Sequence, residues 1–241
     1  MAEYIERKLN ILIACEESQR VTIEFRKLGH NAFSCDVMEC SGGHPEWHIQ
    51  QDVLPLINGN CSFVTADGSK HTINEKWDML IAFPPCTYLS NVCARHFSLN
   101  ATPPEEVVKR WELRAKASIF FMRFFSADCE KIAVENPVGF MNTNFRKPDQ
   151  IIEPYFFAES ENDCDNYVTK RTCLWLKNLP LLKKQNDLPK PKPYGSYMAK
   201  CGKKKNICWE MKVTGATNKE RSKNRSKTFP GIAKAMAEQW G

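Results

Sequence analysis

The sequence predicts an α/β fold with a mostly parallel β-sheet flanked by helices. Short apolar runs, which are typical of buried strands, alternate with helix-forming segments over the first 140 residues. With 241 residues, 42% of them hydrophobic and 26% charged, the chain has the size and composition of one globular domain with a small appendage. These observations exclude a largely disordered chain.

Two strands and a helix are predicted at the N-terminal end. The apolar run Asn10–Cys15 predicts a buried strand, and Asn31–Val37 predicts a second strand that carries an acid near its end. Ser18 is a suitable N-cap for the intervening helix, and Gly29 suits the C-terminal end of that helix.

The next segments are shorter and rich in turn residues. Residues 40–48 predict a loop, and a short strand is expected near His48–Leu54. Asn58–Glu75 predicts a hairpin or a turn-rich excursion, and Trp77–Phe83 predicts a buried strand that two prolines stop.

The longest predicted helix begins at Thr102. The segment Thr102-Pro103-Pro104-Glu105 offers a capping hydroxyl, an early proline and a capping-box glutamate. Apolar residues then recur at helical spacing, and we expect the whole stripe to pack in the core: Val107, Val108, Trp111, Ala115, Ile119, Met122 and Phe125.

The C-terminal part has weaker periodicity. Strands are predicted at Lys131–Glu135 and Thr172–Leu176, and a short helix is predicted at Ile232–Trp240. Lys183–Tyr197 is rich in proline and lysine and is expected to be irregular.

Charge is distributed unevenly along the chain. Between Lys183 and Lys227 there are 14 Lys and Arg residues against three acids, whereas the remainder carries 20 basic and 25 acidic residues. A basic segment on a mildly acidic body indicates a polyanionic partner such as nucleic acid, although a solvated lysine-rich loop remains an alternative. The candidate nucleic-acid-binding residues are Lys203, Lys204, Lys205, Lys223 and Arg225.

Several features predict a cytoplasmic protein with no membrane contact. The most apolar stretch, Ile119–Phe125, is interrupted by Arg123, and the charged N-terminus does not resemble a secretory signal. Eleven cysteines, odd in number and unevenly spaced, favour reduced thiols over a disulfide framework. We predict no metal site. Cys40, His44 and His48 lie at four-residue steps, but in a Gly/Pro loop and not on a helix. Cys201 and Cys208, with Cys164 and Cys173 upstream, lack the tight pair spacing of a zinc ribbon.

Chemistry-bearing residues follow the predicted strands, where open parallel sheets bind their ligands. They are Glu16-Glu17-Ser18, Asp36, Asp52, Pro84-Pro85-Cys86 and Glu135-Asn136-Pro137. An acid after the second strand commonly binds the ribose of a nucleoside-bearing cofactor, but no glycine-rich phosphate loop is present. A phosphate-free adenosine cofactor is therefore expected, and S-adenosylmethionine is the obvious candidate.

The order of motifs resembles that of the cytosine-C5 DNA methyltransferase family. The resemblance is spread over most of the chain and rests on Phe83-Pro84-Pro85-Cys86, Glu135-Asn136-Pro137, Lys170-Arg171-Thr172, Ser226–Ala237 and the two acids Asp36 and Asp52. It implies a class I, Rossmann-like methyltransferase fold and methyl transfer from S-adenosylmethionine to C5 of cytosine in DNA.

The resemblance also implies residue roles. Cys86 would add to C6 of the base, Glu135 would hold N3 and the exocyclic amine, and Arg171 would lie near the thiol and lower its pKa. A duplex substrate would require flipping of the target nucleotide. The implied cofactor-binding residues are Cys15, Glu16, Ser18, Asp36, Asp52, Pro84, Phe229 and Pro230.

The chain departs from the family in three places. Ala14–Ser18 replaces the glycine-rich first motif, Pro137 replaces a valine, and a second arginine is missing unless Lys170 stands in for it. The family usually places a large target-recognition domain between these last two motifs, whereas only about 50 residues separate Leu176 from Ser226 here. The chain is therefore most similar to compact, phage- or prophage-type members.

This spacing predicts a catalytic domain at 1–177, a basic target-facing segment at 178–225 and a returning helix at 226–241. Two other functions remain open at this point. The substrate could be a free cytosine nucleotide, or the protein could be a non-catalytic nucleic-acid-binding descendant of a methyltransferase.

Overall fold

The computed structural model describes residues 7–199 and 202–241, which form a mixed α/β fold. The strands are β1 Asn10–Ala14, β2 Asn31–Asp36, β3 His48–Gln50, β4 Cys61–Val64, β5 Lys70–Ile73, β6 Met79–Ala82, β7 Lys131–Pro137, β8 Gln150–Ile152, β9 Thr172–Lys177, β10 Ser196–Met198 and β11 Lys204–Asn206. The helices are α1 Arg20–Lys27, α2 Pro104–Phe125, α3 Met141–Asn144, α4 Trp209–Lys212, α5 Asn218–Ser226 and α6 Pro230–Trp240.

Seven strands form the main sheet in the order β3-β2-β1-β6-β7-β9-β8. The first five of these are parallel, β9 runs antiparallel to β7, and β8 runs antiparallel to β9. The chain builds outward from β1 in one direction and from β6 in the other, so the strand order reverses between these two neighbours. A crevice at the carboxyl ends of β1 and β6 is the expected ligand site of such a sheet.

Helices cover both faces of the sheet, as the sequence predicts. On one face, α1 and α6 pack together, and Phe25, Ile232 and Met236 join Ile13 in a buried cluster. On the other face, Phe121 and Phe124 of α2 pack in the cluster that contains Leu12. Because successive side chains of a strand point to opposite faces, β1 contributes to both clusters.

The predicted excursion after β3 is a hairpin of β4 and β5, which pair antiparallel. The predicted C-terminal helix is also confirmed, since α6 spans Pro230–Trp240 and buries most of its residues. Gly29 follows α1 with φ +87°, the left-handed conformation that suits a glycine after a helix. No helix in the described part of the chain is long and apolar enough to cross a membrane.

The prediction for the start of α2 is wrong. The helix begins at Pro104, Pro103 precedes it, and within the described chain no side chain caps it. The Thr102 hydroxyl is instead buried and has no hydrogen-bond partner among the described residues. Consecutive prolines fix the backbone at the helix entry, so Thr102 lies too far upstream to act as the cap.

The predicted core stripe of α2 is also wrong in most positions. Val108, Trp111, Ile119 and Met122 are 59%, 47%, 54% and 38% exposed. The buried positions of α2 are Val107, Arg114, Phe121 and Phe124. The helix carries apolar residues on two sides, and the aromatic side packs against the sheet because it buries more apolar surface there.

Candidate active site

The turn after β1 retains a glycine-like backbone without a glycine. Cys15 has φ +59°, and its N–H donates a 2.7 Å hydrogen bond to the Cys35 carbonyl oxygen at the end of β2. A left-handed conformation costs a non-glycine residue roughly 1–2 kcal/mol. Cys15 therefore has a backbone conformation that a glycine adopts without strain.

Glu16 caps α1 from within the same turn. Its carboxylate accepts hydrogen bonds from the N–H of Val21 at 2.7 Å, the N–H of Thr22 at 3.2 Å and the hydroxyl of Thr22 at 2.7 Å. Burial raises the pKa of Glu16 to about 7. The prediction of Ser18 as the N-cap is wrong, because the helix begins at Arg20 and the Glu16 carboxylate satisfies its first N–H groups.

The position of the Glu16 carboxylate disfavours phosphate groups at the N-terminus of α1. A helix N-terminus ordinarily attracts phosphate through its N–H groups. Here the carboxylate of Glu16 occupies that position, so a pyrophosphate would face a buried acid instead of free donors. A nucleoside cofactor without phosphates meets no such repulsion.

Glu17 is a second buried acid at the same end of β1. Its side chain is 6% exposed, and Oε2 accepts hydrogen bonds from the Ser41 hydroxyl at 2.5 Å and the Lys223 ammonium at 3.2 Å. The other oxygen, Oε1, is buried and has no hydrogen-bond partner among the described residues. The contact with Lys223 ties α5 to the β1 turn.

The two acids predicted to hold the cofactor lie beside Cys15. The pKa of the Cys15 thiol is raised by burial and, to a smaller extent, by the charges of Asp36 and Asp52. Burial raises the pKa of the Asp36 carboxyl, which accepts a 2.9 Å hydrogen bond from the Met38 N–H. Asp52 is exposed and accepts a 3.1 Å hydrogen bond from the Leu54 N–H. The carboxyl ends of β1, β2 and β3 therefore present a cluster of acids.

The loop after β6 is anchored by the neighbouring strand. Pro84 is buried, and its carbonyl oxygen accepts a 2.8 Å hydrogen bond from the Asn136 side-chain amide at the end of β7. The Cys86 carbonyl oxygen accepts hydrogen bonds from the N–H groups of Leu89 and Ser90, both at 3.0 Å. These contacts fix the backbone on both sides of the partly buried Cys86 thiol.

Glu135 and Lys170 determine the electrostatics around that thiol. Burial raises the pKa of Glu135 to about 7, against the opposing charge of Lys170. The pKa of Cys86 is raised by burial and then by Glu135, and Lys170 opposes this rise. These three groups therefore interact at the ends of β6 and β7 and just before β9.

The expected lowering of the Cys86 pKa by Arg171 is wrong. The pKa is raised, and the cation that opposes the rise is Lys170. Arg171 is exposed, and its charge acts on Cys173. The catalytic role predicted for Arg171 remains a prediction, and the neighbouring Lys170 is the cation whose charge acts on the Cys86 thiol.

Lys170 is held by the chain that returns before α6. Its ammonium donates a 2.9 Å hydrogen bond to the Arg225 carbonyl oxygen. It also lies 5.4 Å from the ring centroids of both Trp209 and Phe229, in cation–π contact.

A small cleft opens at this point of the fold. Phe83, Glu135 and Lys170 line it together with the returning chain. The remaining lining residues are Thr172, Ser226, Lys227, Thr228, Phe229, Ile232 and Met236. Phe229, predicted to bind the cofactor, lines this cleft, whereas Pro230 is exposed at the first position of α6 and is not among the lining residues.

The five predicted nucleic-acid-binding residues belong to two elements. Lys203, Lys204 and Lys205 are exposed on the hairpin of β10 and β11. Lys223 and Arg225 belong to α5, where Lys223 contacts the buried Glu17 and Arg225 accepts the hydrogen bond from Lys170. The hairpin lysines are therefore exposed, whereas the Lys223 ammonium already contacts a buried acid.

The histidines of the 40–48 loop have structural partners. His44 hydrogen-bonds Glu46 and stacks on Trp47, and the buried His48 ring hydrogen-bonds Ser34 and the Met38 carbonyl oxygen. The described residues contain no cluster of three His, Cys, Asp or Glu side chains that could hold a metal ion. Among the candidate zinc ligands, Cys40, Cys164 and Cys173 are free thiols, and Cys201 lies outside the described ranges.

No family model matches this sequence, and no curated protein matches it. The function of the protein is therefore inferred from the residues of the site.

Proposed function

We propose that the protein transfers a methyl group from S-adenosylmethionine to C5 of cytosine in DNA. The proposal is based on the electrostatic interaction of Cys86, Glu135 and Lys170 near the carboxyl ends of the central strands β6 and β7. A thiol, a carboxyl that holds a proton near neutral pH and a fixed ammonium are the groups that covalent catalysis on a cytosine ring requires.

The thiol is the nucleophile in this proposal. The Cys86 thiolate forms a bond to C6, the C5–C6 double bond opens, and the electron pair becomes available at C5 and across N3. Glu135 donates its proton to N3 as negative charge develops there. Once C5 carries the methyl group, loss of the C5 proton to solvent and departure of the thiolate from C6 restore the aromatic ring. Return of the N3 proton to Glu135 restores the free enzyme.

Glu135 and Cys86 are coupled in a way that suits this step. The carboxylate charge of Glu135 raises the pKa of the thiol. Protonation of Glu135 removes that charge, so the form of Glu135 that can donate to N3 is also the form that favours the thiolate. A pKa of about 7 for Glu135 keeps this protonated form accessible at neutral pH.

The cofactor-binding residues fit S-adenosylmethionine. Asp36 and Asp52 would hold ribose and adenine groups through hydrogen bonds, and the glycine-like turn at Cys15 leaves backbone groups close to them. Glu16 disfavours phosphate at α1, and this cofactor has none. When bound, S-adenosylmethionine supplies an electrophilic methyl group.

The topology and the surface charge support the same proposal. The sheet order, with a reversed β9 between β7 and the edge strand β8, is compatible with a class I methyltransferase fold. The exposed lysines of the β10–β11 hairpin favour a polymeric substrate over a free nucleotide, because duplex DNA presents many phosphates.

The direct test uses the purified full-length protein with isotopically labelled S-adenosylmethionine and plasmid DNA. We expect labelled 5-methyldeoxycytidine after nuclease digestion, and we expect none from Cys86→Ser. Cys164→Ser is the matched control, because this thiol is free and exposed. Cofactor binding without any methylation of DNA or of a deoxycytidine nucleotide would contradict the proposal, and methylation of the nucleotide alone would contradict the DNA substrate.

A further inference from the structure

The side of α2 that faces away from the sheet is apolar and exposed. We call Val108, Trp111, Ala115, Ile119 and Met122 the outer face of α2; all five are exposed, and the four large ones range from 38% to 59%. They recur at three- and four-residue steps, which places them in one row on the helix. A contiguous apolar row of this kind indicates an interaction surface.

The outer face is symmetric about its central residue. Val108 and Met122 lie seven residues on either side of Ala115, and Trp111 and Ile119 lie four residues on either side. Large side chains thus flank a small one at the centre. Two copies of this row, placed antiparallel, would match large residues with large residues and allow close approach at Ala115.

Charges along one edge of the outer face follow the same symmetry. Glu105 and Glu112 lie before the centre of the helix, and Lys116 and Arg123 lie after it. At 100° per residue these four positions fall on the same flank of the row. All four are exposed, and none forms an ion pair with another residue of the described ranges.

We propose that the outer face of α2 binds the same face of a second copy of this chain, with the two helices antiparallel about a two-fold axis near Ala115. Such an axis brings the same flank of both helices together. Glu112 of one copy then lies near Lys116 of the other, and Glu105 lies near Arg123. Opposite charges therefore meet at four places across the pair.

The size of the contact sets its expected strength. The 22-residue α2 is about 33 Å long, and a single helix pair is smaller than most stable interfaces. We therefore expect a concentration-dependent dimer with a dissociation constant in the micromolar range.

The first test is sedimentation velocity on the full-length protein from about 1 to about 500 µM. Ile119→Glu is expected to raise the dissociation constant at least about tenfold, because it places a charge in the apolar row. Leu181→Glu is the matched control, since Leu181 is also 54% exposed but lies outside α2. Thermal melts of both variants report whether they remain folded. Trp111 is avoided, because its ring packs on Phe97 and Phe140.

Two results of this test would overturn the proposal. One is a wild-type protein that stays monomeric over the whole range. The other is a dimer that Ile119→Glu and Leu181→Glu weaken equally.

The second test exchanges the charges. Glu105→Lys/Glu112→Lys makes the flank wholly basic, and Lys116→Glu/Arg123→Glu makes it wholly acidic. Each variant alone should dimerise about three- to tenfold more weakly than wild type, and an equimolar mixture should recover wild-type affinity. Recovery supports charge contacts between the two flanks. A mixture that associates no better than the separate variants would overturn it.

Discussion

The Lys170 ammonium donates a 2.9 Å hydrogen bond to the Arg225 carbonyl oxygen, 55 residues further along the chain. This bond joins the segment before β9 to the end of α5. It holds the ammonium where its charge opposes the rise of the pKa values of both Glu135 and Cys86. The C-terminal segment therefore helps to position the cation that opposes the raised pKa of Cys86.

Replacing Lys170 should lower the methylation rate more than replacing Arg171. In Lys170→Met the pKa of Cys86 rises further, because the opposing cation is lost. We expect the methylation rate at pH 7 to fall at least about tenfold and the rising limb of the pH–rate profile to move to higher pH. Arg171→Met is the matched control, and a larger loss from that variant would assign the catalytic cation to Arg171.

Glu135→Gln should stabilise the fold at alkaline pH while it abolishes activity. Burial raises the pKa of Glu135 from 4.5 to about 7, so the folded state loses stability as pH rises through that window. Below about pH 4.5 the carboxyl is protonated in both states, and this contribution is fully present. We expect Glu135→Gln to increase the free energy of unfolding by about 1–2 kcal/mol at pH 8 and by little at pH 4.5.

Denaturant unfolding at the two pH values measures this effect. Glu159→Gln is the control, because Glu159 is exposed. Some pH dependence should remain in Glu135→Gln, because Glu16 also has a pKa of about 7. Equal stability of wild type and Glu135→Gln at pH 8 would contradict the raised pKa.

The acids beside Cys15 should contribute to cofactor affinity. Loss of a hydrogen bond to a buried polar group costs on the order of 1–3 kcal/mol, so Asp36→Ala and Asp52→Ala should each weaken S-adenosylmethionine binding roughly five- to a hundredfold. Calorimetric titration measures this, with the exposed Asp165→Ala as control. Unchanged binding in both variants would remove these acids from the cofactor site.

The two groups of basic residues should behave differently toward DNA. Replacing Lys203, Lys204 and Lys205 with glutamine should reduce the slope of log affinity against log salt by about 2–3, with cofactor binding intact. Lys223→Gln should leave the slope nearly unchanged, because Lys223 contacts Glu17. This substitution should instead lower the free energy of unfolding, because the buried Glu17 charge loses its partner. Fluorescence anisotropy at several salt concentrations distinguishes these outcomes, and equal slopes for wild type and the triple variant would contradict phosphate contacts by the hairpin.

Much of the sheet could be predicted from sequence because its signals are local. The apolar runs of β1 and β6 stand between turn residues, and burial on both faces produces such runs. The buried side of α2 could not be predicted, since both sides of that helix are apolar and only contact with the sheet selects one.

The site was predictable only in part for a related reason. Strand ends locate Cys86 and Glu135, because each follows or ends a clear apolar run. The choice between Lys170 and Arg171 depends on which side chain faces the cleft, and both precede β9, where no regular alternation applies. The pair Glu17–Lys223 joins residues far apart in sequence and leaves no local signal.

Attack of Cys86 on C6 of cytosine forms a covalent adduct that can be trapped. DNA in which 5-fluorodeoxycytidine replaces every deoxycytidine covers any target sequence, and the fluorine at C5 cannot leave as the proton does. With S-adenosylmethionine present, wild-type protein and Cys164→Ser should form a complex with this DNA that survives denaturing electrophoresis, and Cys86→Ser should form none. A denaturation-resistant complex with Cys86→Ser, or none with wild-type protein that binds both the cofactor and the DNA, would contradict the account.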